Sequence, residues 1–135
     1  MEMTEQQKDA LRRNTFSHYN FFELEQASLD YAVYKLEIRP ESRNSYGMVH
    51  GGALYSMADN AAGTAAHSDG RHYVTQTGSL NFLDNRPNGI IRAAARVVRR
   101  GYSTVFVNVE ITGEDGGLLA TGSFVFHRVG QMQNF

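Results

Sequence analysis

Hydrophobic spacing changes character along this chain, and the changes divide it into an early, partly helical region and a long extended one. Residues 1–15 (MEMTEQQKDALRRNT) are almost wholly polar. Thr4 followed three positions later by Gln7 has the form of a capping box, which predicts a short surface helix over about 4–14. An aromatic cluster follows, Phe16, Tyr19, Phe21 and Phe22. It suits a cover over the edge of the core, the alternative being the wall of a pocket. From Phe21 the pattern is extended: a short strand from Leu24 to Ala27, a turn at Ser28-Leu29-Asp30, then alternation over Tyr31 to Arg39. Ala32, Tyr34, Leu36 and Ile38 fall on one face there and Lys35 and Glu37 on the other, until Pro40 ends the strand.

The stretch Asn44 to Ala66 (NSYGMVHGGALYSMADNAAGTAA) breaks this rhythm. Val49-His50-Gly51-Gly52 turns the chain into a helix over about 51–67, and Ser68-Asp69-Gly70 closes it with glycine in the usual terminal place. The helix is built from Ala53, Ala58, Ala61, Ala62, Gly63, Ala65 and Ala66, thin enough for a sheet to wrap closely around it. Four strands follow, at about 72–83, 89–100, 102–113 and 117–128. Arg86-Pro87-Asn88-Gly89 and Glu114-Asp115-Gly116-Gly117 are turn sequences between them. Val105, Val107, Val109 and Ile111 share a face, as do Ile91, Ala93, Ala95 and Val97, and Ala120, Gly122, Phe124 and Phe126. One long helix followed by antiparallel strands is an α+β arrangement, expected to form one domain over 1–135 with a frayed tail at Gly130–Phe135. Strict alternation leaves the second sheet face wet or in an oligomer interface.

Composition narrows the function classes. A formal net charge of −1 gives no bulk attraction to nucleic acid or an anionic membrane. There is no cysteine, so disulfides, thiolate metal sites and thiol catalysis are excluded, as is compatible with the cytoplasm. No apolar run approaches a membrane span of about 20 residues, and the polar start does not read as a signal peptide. The expectation is a soluble cytoplasmic protein. His50, His67 and His72 lack zinc-motif spacing, so no metal is expected, and no G-x-S-x-G points to a serine triad.

The chemistry concentrates in the glycine turn and its helix. Consecutive glycines at a helix start let another group approach the backbone, and the first helical N–H groups present donors and partial positive charge to a bound oxygen. Asp59 interrupts the apolar face, flanked at helical spacing by Tyr55, Ala62 and Gly63. It should be partly desolvated, with its pKa pushed up; the plain alternative is a buried Asp bonded to a neighbouring hydroxyl such as Ser56. Asn44-x-x-Gly47-x-x-His50-Gly51-Gly52 with Met57-Ala58-Asp59 resembles the signature of hotdog-fold acyl-CoA thioesterases of the PaaI type, within the 4-hydroxybenzoyl-CoA thioesterase superfamily. Arg39-Pro40-Glu41 and Leu80-Asn81-Phe82-Leu83 extend the match, which covers roughly residues 20 to 129.

The resemblance implies a hotdog fold, an antiparallel sheet wrapped around a central helix, and hydrolysis of an acyl-CoA thioester to a carboxylic acid and free CoA without a cofactor. It assigns Asp59 as nucleophile or general base and the Gly51 N–H as oxyanion donor. Asn44 would position substrate or water, with a plain turn as the alternative. His50 would order the turn or act as acid or base. Thr75 would hold the attacking water, Thr77 being the competing alignment. Substrate contacts are implied at Gly52, Tyr55 and Phe82. Arg96, Arg99 and Arg100 form a basic strand end before Gly101 whose default reading is a solvated charge run, the alternative being contact of Arg99 and Arg100 with the coenzyme A phosphates. Partners would be acyl-CoA and further copies of the chain, a homodimer or dimer of dimers with sites at the subunit interface. Along one helix Gly51 and Asp59 lie about 12 Å apart, too far for one thioester to reach both. A non-catalytic acyl-CoA-binding or sensor domain is the rival. Relatives read Phe-Leu-x-Pro where this chain has Phe82-Leu83-Asp84-Asn85-Arg86-Pro87, two residues longer, which puts carried-over phosphate contacts in doubt.

Overall fold

The computed structural model describes residues 3–130, so the C-terminal tail from 131 lies outside the described residues. The order is α1 (Glu5–Arg13), α2 (Thr15–Tyr19), β1 (Glu23–Ser28), β2 (Tyr31–Glu37), α3 (Gly51–Ala66), β3 (His72–Phe82), β4 (Ile90–Arg100), β5 (Thr104–Thr112) and β6 (Leu118–Val129). Thr4 caps α1 through the expected reciprocal box with Gln7. The five-residue α2 was not anticipated, being too short to show a period. Asn14 caps it, its Oδ1 accepting from Ser17 N–H (3.2 Å).

The six strands form one antiparallel sheet in the order β1-β2-β4-β5-β6-β3. α3 lies across one face of it. Leu54, Met57, Ala58, Ala61, Ala62, Ala65 and Ala66 are fully buried, facing Leu36, Ile91, Val107, Val109, Ile111 and Phe124 in one core. Burial of the larger of these side chains contributes about 1.5–3 kcal/mol each, while the alanines let the sheet approach the helix. The alternating faces read from β2, β4, β5 and β6 are the faces that meet it, although Val33, on the other face of β2, is also buried. Pro40 opens a single 3-10 turn, Pro40–Ser42, rather than directly ending β2.

Two features place the site. β3 is an edge strand, and its outer edge has no partner among the described residues. It also carries a bulge: Thr75 pairs with Phe126 and Thr77 with Val125, leaving Gln76 unpaired. The bulge reverses the facing of the strand. Tyr73 and Thr75 before it, and Gly78, Leu80 and Phe82 after it, look toward α3, whereas Thr77 stands opposite the outward-facing Val125.

Candidate active site

Four backbone N–H groups open α3, and the sequence around them satisfies all but one. His50 is the N-cap, its Nδ1 accepting from Gly52 N–H at 2.7 Å, so the ring is held with Nδ1 unprotonated. The His50 carbonyl accepts from Ala53 (2.9 Å) and Leu54 (3.2 Å). Gly51 N–H alone has no acceptor among the described residues. A free amide at a helix N-terminus is a ready donor to a developing oxyanion. Gly52, anticipated as a substrate contact, has its N–H taken by His50; a Cβ there would stand 3.0 Å from His50 Nδ1.

The approach to this turn is tied by hydrogen bonds. Asn44 Oδ1 accepts from Tyr46 (2.9 Å) and Met48 (3.2 Å) N–H, and its own N–H donates to Met48 O (2.7 Å). Asn44 is therefore a turn-former, yet its Nδ2 makes no hydrogen bond among the described residues and remains available as a donor. Gly47 adopts φ +77°, a left-handed conformation that accounts for glycine there.

One face of α3 then steps down against β3. A Cβ at Gly51 would touch the Phe82 ring at 3.5 Å. One turn on, Tyr55 Oη donates to Gly78 O (3.2 Å) and its ring packs on Phe124, centroids 5.4 Å apart. Gly78 has to be glycine, because a Cβ would collide with Tyr55 Oη and the Phe124 ring. One turn further, Thr75 Oγ1 donates to Asp59 Oδ1 at 2.8 Å. Of the two threonines open to the sequence, geometry brings Thr75 to Asp59, and Ser56 is not its partner. Burial pushes the Asp59 pKa up, opposed in part by the Thr75 bond.

Arg99 and Arg100 lie toward the other end of α3. Arg100 is not free for phosphate. Its guanidinium reaches Asp30 Oδ1 (2.8 Å), Asp69 Oδ2 (3.0 Å), Tyr73 Oη (3.1 Å) and the carbonyls of Ala66 (2.9 Å) and Ala65 (3.2 Å). It is a clasp on the helix C-terminus, a structural role that neither the solvated reading nor the coenzyme reading included. Arg99 is exposed beside a bulge in β4.

The aromatic cluster also differs from its favoured reading. Phe22 is buried, but Phe16 and Tyr19 are 60% and 83% exposed. With Phe21 they line a cleft of about 720 Å³ whose other wall includes His50, Gly52, Ala53 and Ser56. Phe21 has φ 62° and is covered by the Arg39 guanidinium 4.0 Å from its ring centre. No group of three or more His, Asp or Glu among the described residues could hold a metal, and no helix among them is long and apolar enough to cross a membrane.

Comparison with known proteins places this geometry. A family model described as the thioesterase superfamily matches residues 46–120, 75 of the 135 residues. A putative esterase of Saccharolobus solfataricus is 32% identical over 101 residues, 72% of each chain. The acyl-coenzyme A thioesterase PaaI of Escherichia coli is 29% identical over 103 residues, 74% of this chain and 72% of that one. The structure of the PaaI protein from the phenylacetic acid degradation operon of E. coli superposes with a TM-score of 0.88 at 25% identity, covering 94% of both chains. A hypothetical thioesterase protein of Streptococcus pneumoniae TIGR4, solved with coenzyme A, gives a TM-score of 0.77 at 26% identity over 83% of this chain and 91% of that one. That protein is also known as an Asp→Ala and a Thr→Ala variant, at positions 52 and 68 of its own count. By sequence and by fold, this chain belongs to the thioesterase superfamily, with the hotdog architecture of the PaaI type.

Proposed function

We propose that the protein is an acyl-CoA thioesterase in which Asp59 is the reacting carboxylate and Gly51 N–H the oxyanion donor. The observation that carries this reading is the coincidence of a half-buried carboxylate hydrogen-bonded to Thr75 with a single unpartnered amide at the start of the same helix. The S. pneumoniae variants add support: their altered Asp and Thr stand sixteen positions apart, as Asp59 and Thr75 do. That protein binds coenzyme A, and PaaI is an acyl-coenzyme A thioesterase, which favours the same substrate class here.

In this mechanism Asp59 attacks the thioester carbonyl, or takes a proton from a water that does. The carbonyl oxygen becomes an oxyanion facing Gly51 N–H, and collapse of the tetrahedral intermediate breaks the C–S bond, releasing the coenzyme thiolate, which takes up a proton. On the general-base route this leaves the carboxylic acid directly; on the nucleophilic route it leaves an acyl anhydride on Asp59, which a water then hydrolyses to the acid and free Asp59. Thr75 holds Asp59 by Oδ1 and leaves Oδ2 for the reaction; the free Nδ2 of Asn44 is a candidate donor to substrate or water. The cleft walled by Phe16, Tyr19 and Phe21 beside His50 suits the acyl group, within the ordinary size range of small-molecule sites, about 300–1,000 Å³. Each site is shared by two copies of the chain, since Gly51 and Asp59 of one helix lie about 12 Å apart.

The test is turnover of an acyl-CoA panel by wild type and Asp59→Asn. The nearly isosteric Asn neither attacks nor accepts the proton, so kcat should fall at least about a hundredfold with the fold intact. Wild-type-like kcat in the variant overturns the assignment. Binding of acyl-CoA with no turnover by wild type would leave the protein a binder.

A further inference from the structure

The link between β3 and β4 runs beside the segment leading into α3. Leu83 and Asp84 N–H both donate to Leu119 O (2.7 and 3.1 Å), anchoring the start of the link on β6. The Arg86 guanidinium then joins Asp84 (2.8 Å) and the Asn85 carbonyl (2.7 Å) to Asp115 in the β5–β6 turn (3.1 Å). Thus braced, the link turns its remaining groups on the approach to α3. The Arg86 carbonyl accepts from Val49 N–H (2.9 Å) and Asn85 Nδ2 donates to Val49 O (3.2 Å). Pro87 O accepts from Arg43 Nε (2.8 Å).

These bonds bear on the peptide plane just ahead of the oxyanion donor. The Val49–His50 peptide is held at its oxygen by Asn85 Nδ2 and at its nitrogen by Ser42 O (2.7 Å). The next plane, His50–Gly51, is held at its oxygen by Ala53 and Leu54, leaving Gly51 N–H as its open end. Val49 is itself fully buried. With the Val49–His50 plane fixed from outside, the direction of Gly51 N–H is set by the fixed planes before and within it. We infer that Asn85 is a positioning residue: its Nδ2, reaching back 36 positions, aims the Gly51 amide at the carbonyl oxygen of the substrate. The inference rests on the proposed thioesterase reading for its catalytic consequence, though not for its geometry.

Asn85 allows a clean test because its two side-chain atoms do different things. Oδ1 accepts from Arg86 N–H (2.8 Å) and shapes the link locally, while Nδ2 alone reaches Val49. Asn85→Asp keeps an acceptor for the local turn and removes the donor to Val49. We expect kcat to fall about tenfold with KM within about twofold of wild type, because a misdirected oxyanion donor weakens the transition state more than substrate binding. We also expect a shift in the assigned Gly51 ¹H–¹⁵N resonance. If Asn85→Asp does not fold, Asn85→Ala is read in the same way. A Gly51 resonance at its wild-type position, or a kcat within about twofold of wild type, in a folded variant overturns the role. If wild type turns over no acyl-CoA, the thioesterase reading falls separately, and the resonance still decides whether Asn85 sets the Gly51 amide.

Discussion

At the scale of single residues, Asp59 is under two opposed influences. Burial against α3 and β3 raises its pKa, and the Thr75 hydroxyl lowers it again by stabilising the anion. Burial wins, so the acid limb of kcat/KM should lie above the ordinary aspartate value of about 3.9, with activity lost as pH falls and Asp59 protonates. The sign for stability is opposite. With its folded pKa raised, the group contributes stability in full below the unfolded pKa, and this is lost as pH rises through the folded value. Thr75→Val removes the one opposing bond among the described residues, so its acid limb should move to higher pH; pH–rate profiles of the two proteins check this, and a limb shifted downward would contradict it. Asp59 was legible in the sequence because a carboxylate in an alanine helix stands out. Thr75 was not separable from Thr77, because residues two apart share a strand face unless a bulge intervenes, and nothing in Thr75-Gln76-Thr77 announces one. That Gly52 N–H is occupied was equally hidden, since it depends on the rotamer of His50.

At the scale of elements, the two ends of α3 are finished differently. The C-terminal carbonyls are covered: Gly63 by the His67 ring (2.7 Å), Ala65 by Ser68 (2.7 Å) and Arg100, and Ala66 by Arg100. The N-terminus keeps one donor open. Arg100 belongs to the closed end, binding the β1–β2 turn through Asp30 and the 3-10 turn after α3 through Asp69. Burial raises the Asp69 pKa, but the bonds from Tyr73, the Arg71 N–H and Arg100 outweigh it, so Asp69 is held below the ordinary carboxylate range. Its contribution is present above the unfolded pKa and lost as pH falls through the folded one. Arg100→Ala should cost about 2–3 kcal/mol, having removed several charge-assisted bonds from a partly buried site. Acyl-CoA KM should hardly change; denaturant unfolding at fixed protein concentration and steady-state kinetics check both halves. A raised KM with unchanged stability would restore the phosphate reading. The helix and strands were legible almost to the residue, because small-residue packing, alternation and turn chemistry agree along the chain. The clasp made by Arg100 was not legible because in sequence it is the last of a basic run, and only β4 pairing beside α3 brings it to five acceptors.

At the scale of the whole molecule, the proposed mechanism calls for a second chain. Gly51, Tyr55 and Asp59 share one face of α3, which meets β3, and β3 offers a free edge eleven residues long. Thr75, beside Asp59, is exposed in the single chain, as is half of Phe82 beside Gly51. An unpaired edge of that length invites pairing with another copy. Two chains related by a two-fold axis across it would set their α3 helices antiparallel, bringing Gly51 of one toward Asp59 of the other. Since a reacting carbonyl must sit about 3 Å from both the attacking group and the oxyanion donor, that arrangement meets a condition that about 12 Å along one helix does not. Asn44 should then act with Gly51 of its own chain and Asp59 of the partner. Co-refolding an inactive Asn44→Ala chain with an inactive Asp59→Asn chain tests this. Random pairing makes half of the dimers mixed, and each mixed dimer holds one intact site and one doubly damaged site, so roughly a quarter of wild-type activity should return. Verified mixed dimers as inactive as either parent would overturn a site built from Asn44 of one chain and Asp59 of the other.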